Sequence, residues 1–364
     1  MKTGEDIVAE QNASQNVYVV VIAWNQESLS DNPAVQSIIN QLNYAAQYDN
    51  IGYIKILNNI APTDYNVISG TSTALKTAIN NQISDRLVVL GRNGGDTMDG
   101  IGIWGQGLYN YSSESGSAGF SGNLLGFSLG ADKKFNDNFV LGLGYSLNKT
   151  SAKSADRSID ATGHTIFAYG EYRPIKSTTD TEGKEAQRQV SPLHLNATLS
   201  YTMTDYTDNA AYNISSEYST TMLGLNGSVG YNITDAIDLF VGARYLTISQ
   251  DDYTDNIGQI VSVKDNDILT ARFGGKYTGT QNWFAPTAHA ELLYDIKSTD
   301  RIAVVNTEHS SYQITGDAIN PFGLQAGVGF ITILDEWNLS LNYDFEWRPD
   351  FTSHTGRIRV KYLF

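Results

Sequence analysis

The stretch WNLSLNYDFEWR, Trp337–Arg348, decides the fold of this chain. Trp337, Leu339, Leu341, Tyr343, Phe345 and Trp347 alternate with Asn338, Ser340, Asn342, Asp344, Glu346 and Arg348. A period of two is that of a strand whose faces meet different surroundings. The run is about twice the usual 5 to 6 residues of a soluble strand and close to the roughly 9 to 11 that a tilted strand needs to cross a bilayer. Its apolar face begins and ends on Trp, as at the aromatic girdles of outer-membrane barrels.

The stretch GRIRVKYLF, Gly356–Phe364, repeats the pattern with stronger contrast. With Ile358, Val360, Tyr362 and Phe364 against lipid, Arg357, Arg359 and Lys361 point into a wet lumen. A one-residue slip would put each cation in hydrocarbon at roughly 2–4 kcal/mol near the midplane, so the register is strongly fixed.

Working back to Gly100, the same period recurs over 100–112, 121–135, 138–152, 159–173, 190–206, 217–233, 237–251, 267–278, 282–297, 319–333, 336–348 and 351–364. In the fourth of these, Ile166 and Phe167 cannot share a side. Short links (FNDN, NITDA, TGTQ, ILDE) alternate with longer polar ones, the pattern of barrels with tight periplasmic turns and longer outer loops. The exception is the polar insertion 174–189, read as a solvated loop with no assigned role. An even strand number brings both ends of the β region out on the periplasmic side.

Composition agrees. There are 22 Tyr, 13 Phe and 33 Gly with 17% charged residues, which favours aromatic strands and turns over helices. A net charge of −15 with scattered Lys and Arg excludes a nucleic-acid partner. The absence of Cys removes disulfides, thiolate metal sites and a thiol nucleophile. The longest apolar run, Val17 to Trp24, is far short of the roughly 20 residues of a spanning helix, and the opening MKTGEDIVAE lacks the apolar core of a secretory signal.

Ahead of Gly100 the texture is helical in two places. Asn32 and Pro33 form a cap and first-turn pair, followed by Val35, Ile38, Ile39, Leu42 and Ala46 at helical spacing. A second helix is expected from Ser72 to Leu90, with Leu75, Ile79, Ile83, Leu87 and Leu90 on one side, ended by Gly91, Gly94 and Gly95. The expected organisation is a linker or passenger remnant, partly helical, over 1–66, a helix and connection over 67–99, and a barrel over 100–364.

From Thr71 to Phe364 the sequence resembles the translocator (β) domain of type V autotransporters of Gram-negative bacteria. The resemblance rests on GIGIWGQGLYNYSSESGSAGFSGNLLGFSLGADKKFNDNFVLGLGYS, Gly100–Ser146, and on the ending VKYLF. It implies an all-β transmembrane barrel of twelve antiparallel strands in the bacterial outer membrane, with an N-terminal α-helix threaded through the lumen. The implied function is to anchor an N-terminal passenger and support its export to the cell surface. Outer-membrane lipid, the barrel-assembly machinery, periplasmic chaperones and the protein's own passenger are the implied partners, with a monomeric state and no cofactor.

In such proteins the last strand is the assembly signal, here Ile358, Val360, Tyr362 and Phe364. The helix 72–90 then fits the lumen plug, since about 19 residues at 1.5 Å each approach a 30 Å hydrocarbon core. NVYVVVIAW reads as a remnant of the last rung of a β-helical passenger. Some family members release the passenger by cyclisation of an Asn, for which Asn80 and Asn81 are the candidates. Their offset to SDRL departs from the self-cleaving pattern, so both are read as polar helix residues and no catalytic residue is assigned. The alternative is a porin or surface-loop adhesin barrel without a passenger, which would have no helix in its pore.

The lumen wall is expected to carry Arg244, Arg272, Lys276, Glu291, Arg357, Arg359 and Lys361, pairing with Asp85 and Arg86 on the plug. His164, His194, His289, His309 and His354 are scattered, without an i, i+4 pair, and are assigned no metal or proton-transfer role; His194 and His289 fill a polar lumen. Asp251–Asn256 and Asp265–Asp267 lack the spacing of a calcium-binding hand and read as solvated acidic loop. Gly102, Gly105 and Gly107 precede no helix and so form no phosphate cradle; they are expected to face a helix inside the barrel.

Overall fold

A computed structural model describes residues 3–62, 68, 101–115, 119–136, 138–154, 156–176, 189–279, 284–316, 320–334 and 336–364. The long strands are β1 (Ile101–Glu114), β2 (Phe120–Asn136), β3 (Phe139–Ser154), β4 (Arg157–Tyr172), β7 (Leu193–Asn209), β8 (Ser215–Asn232), β9 (Ile237–Gln250), β12 (Asn266–Thr278), β13 (Phe284–Ser298), β16 (Phe322–Leu334), β17 (Trp337–Arg348) and β18 (Phe351–Leu363). These twelve close into one antiparallel barrel in the order β1-β18-β17-β16-β13-β12-β9-β8-β7-β4-β3-β2. Each corresponds to one of the twelve alternating stretches. Closure removes sheet edges, and no helix among the described residues is long and apolar enough to cross a membrane.

Alternation places apolar side chains outward. On β3, Leu141, Leu143, Tyr145 and Leu147 are exposed, whereas Ser146, Asn148 and Thr150 are buried toward the lumen. Beyond Leu147 the outward positions become Lys149, Ser151 and Lys153, so the strands project past the apolar band at this end. Trp337 and Trp347 both lie outward. The ambiguous pair resolves with Ile166 outside and Phe167 inside. Phe167 stacks between Trp104 (6.1 Å) and Tyr169 (6.3 Å), and Trp104 Nε1 donates to Tyr169 Oη at 2.8 Å, which donates to Asp132 at 2.9 Å.

The barrel closes where β1 meets β18, with Gly102 opposite Leu363. A Cβ on Gly102 would lie 2.5 Å from Lys361 Cε and 2.9 Å from Asp132 Oδ1. Only a bare backbone lets Lys361 reach over β1 toward Asp132 on β2, at 3.8 Å. Gly105 and Gly107 correct the expectation for this stretch. A Cβ on Gly105 would meet Leu129 and Phe127, and one on Gly107 would meet Ile358, all on the outer face.

Residues 3–62 form four α-helices: α1 (Gly4–Glu10), α2 (Gln15–Gln26), α3 (Pro33–Tyr48) and α4 (Asn50–Ile60). The cap predicted at Asn32 is formed, its side chain accepting from Ala34 N at 2.9 Å. NVYVVVIAW is helix, not a β-helical rung. Ser14 caps α2, and Val17, Val20, Val21 and Trp24 fall at i, i+3, i+4 and i+7 to meet the buried faces of the other helices. Burial here overrides the β propensity of four valines and isoleucine.

The long connections on the same side of the barrel also hold structure that the sequence reading took for loop. Strands β10 (Tyr253–Thr254), β11 (Ile260–Val263), β14 (Ile302–Asn306) and β15 (Ser311–Thr315) form a separate four-stranded sheet. Within the insertion 174–189 and its edge, β5 (Ile175–Lys176) pairs with β6 (Gln189–Val190), and 177–188 lie outside the described residues.

Candidate translocation pore and its cap

The lumen wall divides into two sectors. From β2 through β7 the middle of the wall pairs hydroxyls, Ser128 donating to Ser146 at 3.0 Å and Thr165 pairing with Thr202 at 2.8 Å, while the buried carboxylates Asp132 and Glu171 lie nearer one rim. From β9 through β18 the wall is charged. Arg272 donates from Nε to Glu291 at 2.8 Å and from Nη1 to Asn226 at 2.6 Å. Arg357 holds Asp344 from Nε at 3.0 Å, while His289 lies 3.4 Å from the other Asp344 oxygen. Arg348 joins Asp295 at 2.6 Å and Glu346 at 3.1 Å. Low-dielectric surroundings make such pairs costly to break from one side.

Arg244, Arg272, Glu291, Arg357, Arg359 and Lys361 are all buried on the lumenal face. Lys276 also points inward, its Nζ 5.2 Å from the Phe240 ring. The wall brings Arg272 and Glu291 together and gives Arg357 and Lys361 partners that the reading had not named, Asp344 and Asp132. Asp85, Arg86, Asn80, Asn81 and the whole helix expected at 72–90 lie outside the described residues. Ile358, Val360 and Phe364 are exposed on the outer face, and Tyr362 packs at 4.8 Å from Trp337 and 4.6 Å from Phe364.

His194 faces the lumen 3.4 Å from Asp238. His164 and His354 are on the outer wall, bonded to Tyr145 at 2.6 Å and Tyr343 at 2.7 Å. Among the described residues no three His, Asp or Glu side chains group as a metal site.

At the end of the barrel where the strands project, the four helices sit on the loop sheet and share one buried cluster with it, including Trp24, Leu57, Ile60, Tyr253, Val305 and Ile314. The polar contacts are specific. Asn16 pairs both ways with the backbone of Thr315 on the edge strand β15, at 2.8 and 3.1 Å. Buried Glu27 accepts from Thr307 Oγ1 at 2.6 Å and His309 N at 3.0 Å, and Ser30 donates to Glu308 at 2.7 Å. Arg157, at the start of β4, pairs with Asp208 at the end of β7 and donates from Nη2 to the carbonyls of Asn59 (3.0 Å) and Ala61 (2.9 Å). A guanidinium at the C-terminus of α4 satisfies orphan carbonyls and matches the helix dipole.

The acidic loop is not simply solvated. Asp255 is buried, and its Oδ1 accepts from Ile257 N at 3.1 Å and Gln259 N at 2.8 Å across the turn where Gly258 takes φ 90. Gln259, with its amide oriented to accept from Tyr312 at 2.9 Å, donates to Asp255 at 2.9 Å and to the Ile60 carbonyl at 3.2 Å. Burial pushes the Asp255 carboxyl up to about 6 against the pull of these backbone donors and Arg157.

Sequence reasoning missed Arg157, Asp208, Glu27 and the cap as a unit. The helices were detectable from Val17, Val20, Val21 and Trp24 and again from Tyr53, Ile56, Leu57 and Ile60, both at i, i+3, i+4, i+7. No local signal marks the pairing of Arg157 with helix carbonyls far away in sequence.

The family model described as Autotransporter beta-domain matches residues 103–344. Outer membrane protein B of Rickettsia conorii (strain ATCC VR-613 / Malish 7) is 23% identical over 305 residues, covering 74% of this chain; the chain spans 18% of that relative's length. The translocator domain of autotransporter NalP from Neisseria meningitidis superposes with a TM-score of 0.63 at 16% identity, over 84% of this chain and 100% of that one. The transport unit of the autotransporter AIDA-I from Escherichia coli gives 0.54 at 13% identity, over 80% and 98%. With a closed barrel that is apolar outside and polar within, and a family match over most of its length, this chain belongs to the autotransporter β-domain family of outer-membrane translocators.

Proposed function

We propose that the barrel carries its own N-terminal segment across the outer membrane and then holds it, folded as the helical cap, over the outer mouth. One observation carries this reading. Ala61 is fastened to Arg157 at the rim bearing the long loops, whereas Ile101 enters the wall at the opposite rim, paired with Lys133 and accepting from Phe364 N at 3.2 Å. The chain between them must travel from one mouth to the other, and a polar lumen is the path that avoids lipid. A helix of about 20 residues covers about 30 Å, so the expected helix 72–90 is long enough for the passage.

On this reading Asp85 and Arg86 meet the charged sector of the wall, and the hydroxyl sector gives a sliding chain neutral hydrogen-bonding neighbours. Residues 3–62 are the exported cargo or its last part, in a chain that spans 18% of the length of outer membrane protein B. Ile358, Val360, Tyr362 and Phe364 form the outward row offered to the assembly machinery and its chaperones, and the barrel acts as a monomer. The reading needs no catalytic residue, and Asn80 and Asn81 remain polar helix positions.

An epitope inserted ahead of Thr3 tests the reading. Antibody should reach it on intact cells that express the whole chain. An epitope reached only after the outer membrane is opened overturns export.

A further inference from the structure

Helix α3 runs 16 residues, PAVQSIINQLNYAAQY, without one charged side chain, in a chain of net charge −15. Its solvent side carries Ser37, Asn40, Asn43, Tyr44, Gln47 and Tyr48, all exposed. The Tyr44 and Tyr48 rings lie 5.0 Å apart, and their side chains are 67% and 72% exposed. A helix that only faces water ordinarily carries charge there. Tyrosines interleaved with amides and small hydroxyls are instead the composition of adaptable binding surfaces, rigid and amphipathic at low entropic cost.

Beside this row lies a groove of about 470 Å³, lined by Ser37, Asn40, Gln41 and Tyr44 of α3, by Asp49 at the start of α4, and by Tyr212 of the β7–β8 loop. Tyr212 holds φ at 63 and Asn213 at 59, a left-handed conformation that residues other than glycine adopt at a cost and that gathers at functional sites. The loop is fixed on α4 by Ala211 N, which donates to Asn59 Oδ1 at 3.3 Å. Tyr212 offers a protonated phenol beside a carboxylate, its pKa raised first by burial and then by Asp156 and Asp49.

We propose that this groove binds a short neutral oligosaccharide of roughly two to three rings, the length its volume accommodates. Each sugar hydroxyl both donates and accepts, which matches the paired carbonyl and amino groups of Asn40 and Gln41. The C–H face of a pyranose is apolar and lies against the exposed face of Tyr44, with Tyr212 on the other wall. Asp49 uses Oδ1 to cap Gly52 N at 2.9 Å, and its exposed carboxylate accepts from hydroxyls. Among the described residues lining the groove none is a cation, so a phosphorylated, sulfated or sialylated ligand would meet Asp49 uncompensated. The proposal goes beyond translocation and rests on that reading only in placing the cap outside the cell. Binding by purified protein is indifferent to export, so the two fail separately.

The test uses the whole chain in detergent on a printed array of neutral, sialylated and sulfated oligosaccharides, followed by calorimetric titration with a neutral trisaccharide that binds. Saturable binding of neutral glycans is expected, weakened about fivefold to tenfold by Tyr44→Ala and by Gln41→Ala and unchanged by Leu29→Ser on another exposed part of the cap. Binding confined to acidic glycans, no saturable binding, or neutral binding unaffected by both groove variants overturns it. Unchanged circular dichroism separates loss of the site from loss of the fold.

Discussion

Arg157 donates to the Ala61 carbonyl at 2.9 Å and so ties the last turn of the cap to the first residue of a barrel strand. The same side chain pairs with Asp208, and both are almost fully buried. Arg157→Ala would leave a buried carboxylate and the α4 carbonyls together, a loss of about 3–5 kcal/mol local to the cap. Protease added outside should then remove residues 3–62 at much lower concentration while the barrel stays folded. Arg157→Lys, with one compact cation in place of a fork, should fall between.

Asp255 gives the cap a pH dependence of defined sign. Its carboxyl is raised from 3.8 to about 6, chiefly by burial. Between these values the folded state keeps a proton that the unfolded state has released, so stability falls as pH rises from about 4 to 6 and is level above, by about 2–3 kcal/mol in all. Urea titration followed by Trp24 fluorescence should show a firmer cap at pH 5 than at pH 7.5. Asp255→Asn keeps the acceptor of the turn and should flatten the difference.

The closure seam depends on Gly102. A side chain there displaces Lys361 from Asp132, and overpacking of this kind costs about 1–3 kcal/mol. Gly102→Val should lower the temperature at which the folded band converts to the unfolded one on semi-native gels. Gly107→Val, whose Cβ would make ordinary contact with Ile358 on the outer face at 3.6 Å, should not.

If the segment between Ala61 and Ile101 occupies the lumen, deleting 3–100 should raise single-channel conductance in planar bilayers several-fold over the full chain. Equal conductance would place that segment elsewhere.

The barrel was legible because its code is local: each strand carries the two environments in its own alternation, as Leu141, Leu143 and Leu147 against Ser146 and Asn148 show. The inward row Arg357, Arg359 and Lys361 could be read for the same reason. Of the cap only α3 was, from Asn32, Pro33 and the spacing after them; α2 was not, because Val19, Val20, Val21 and Ile22 favour strand by propensity and become helix only when Val20 and Val21 are buried against neighbours. The loop sheet is built from strands as short as Tyr253–Thr254, too brief for any period to emerge. Partners such as Arg157 with Ala61 or Glu27 with Thr307 are set by the closed topology, which places ends of distant elements at one rim.

Because the chain contains no native Cys, single cysteines report sidedness without background. Leu29, 78% exposed on the cap, and Asp235, exposed in the tight turn between β8 and β9, lie at opposite ends of the molecule. With a membrane-impermeant maleimide, Leu29→Cys should label on intact cells and Asp235→Cys only after the outer membrane is permeabilised. Labelling of Asp235→Cys on intact cells with Leu29→Cys protected would contradict the account.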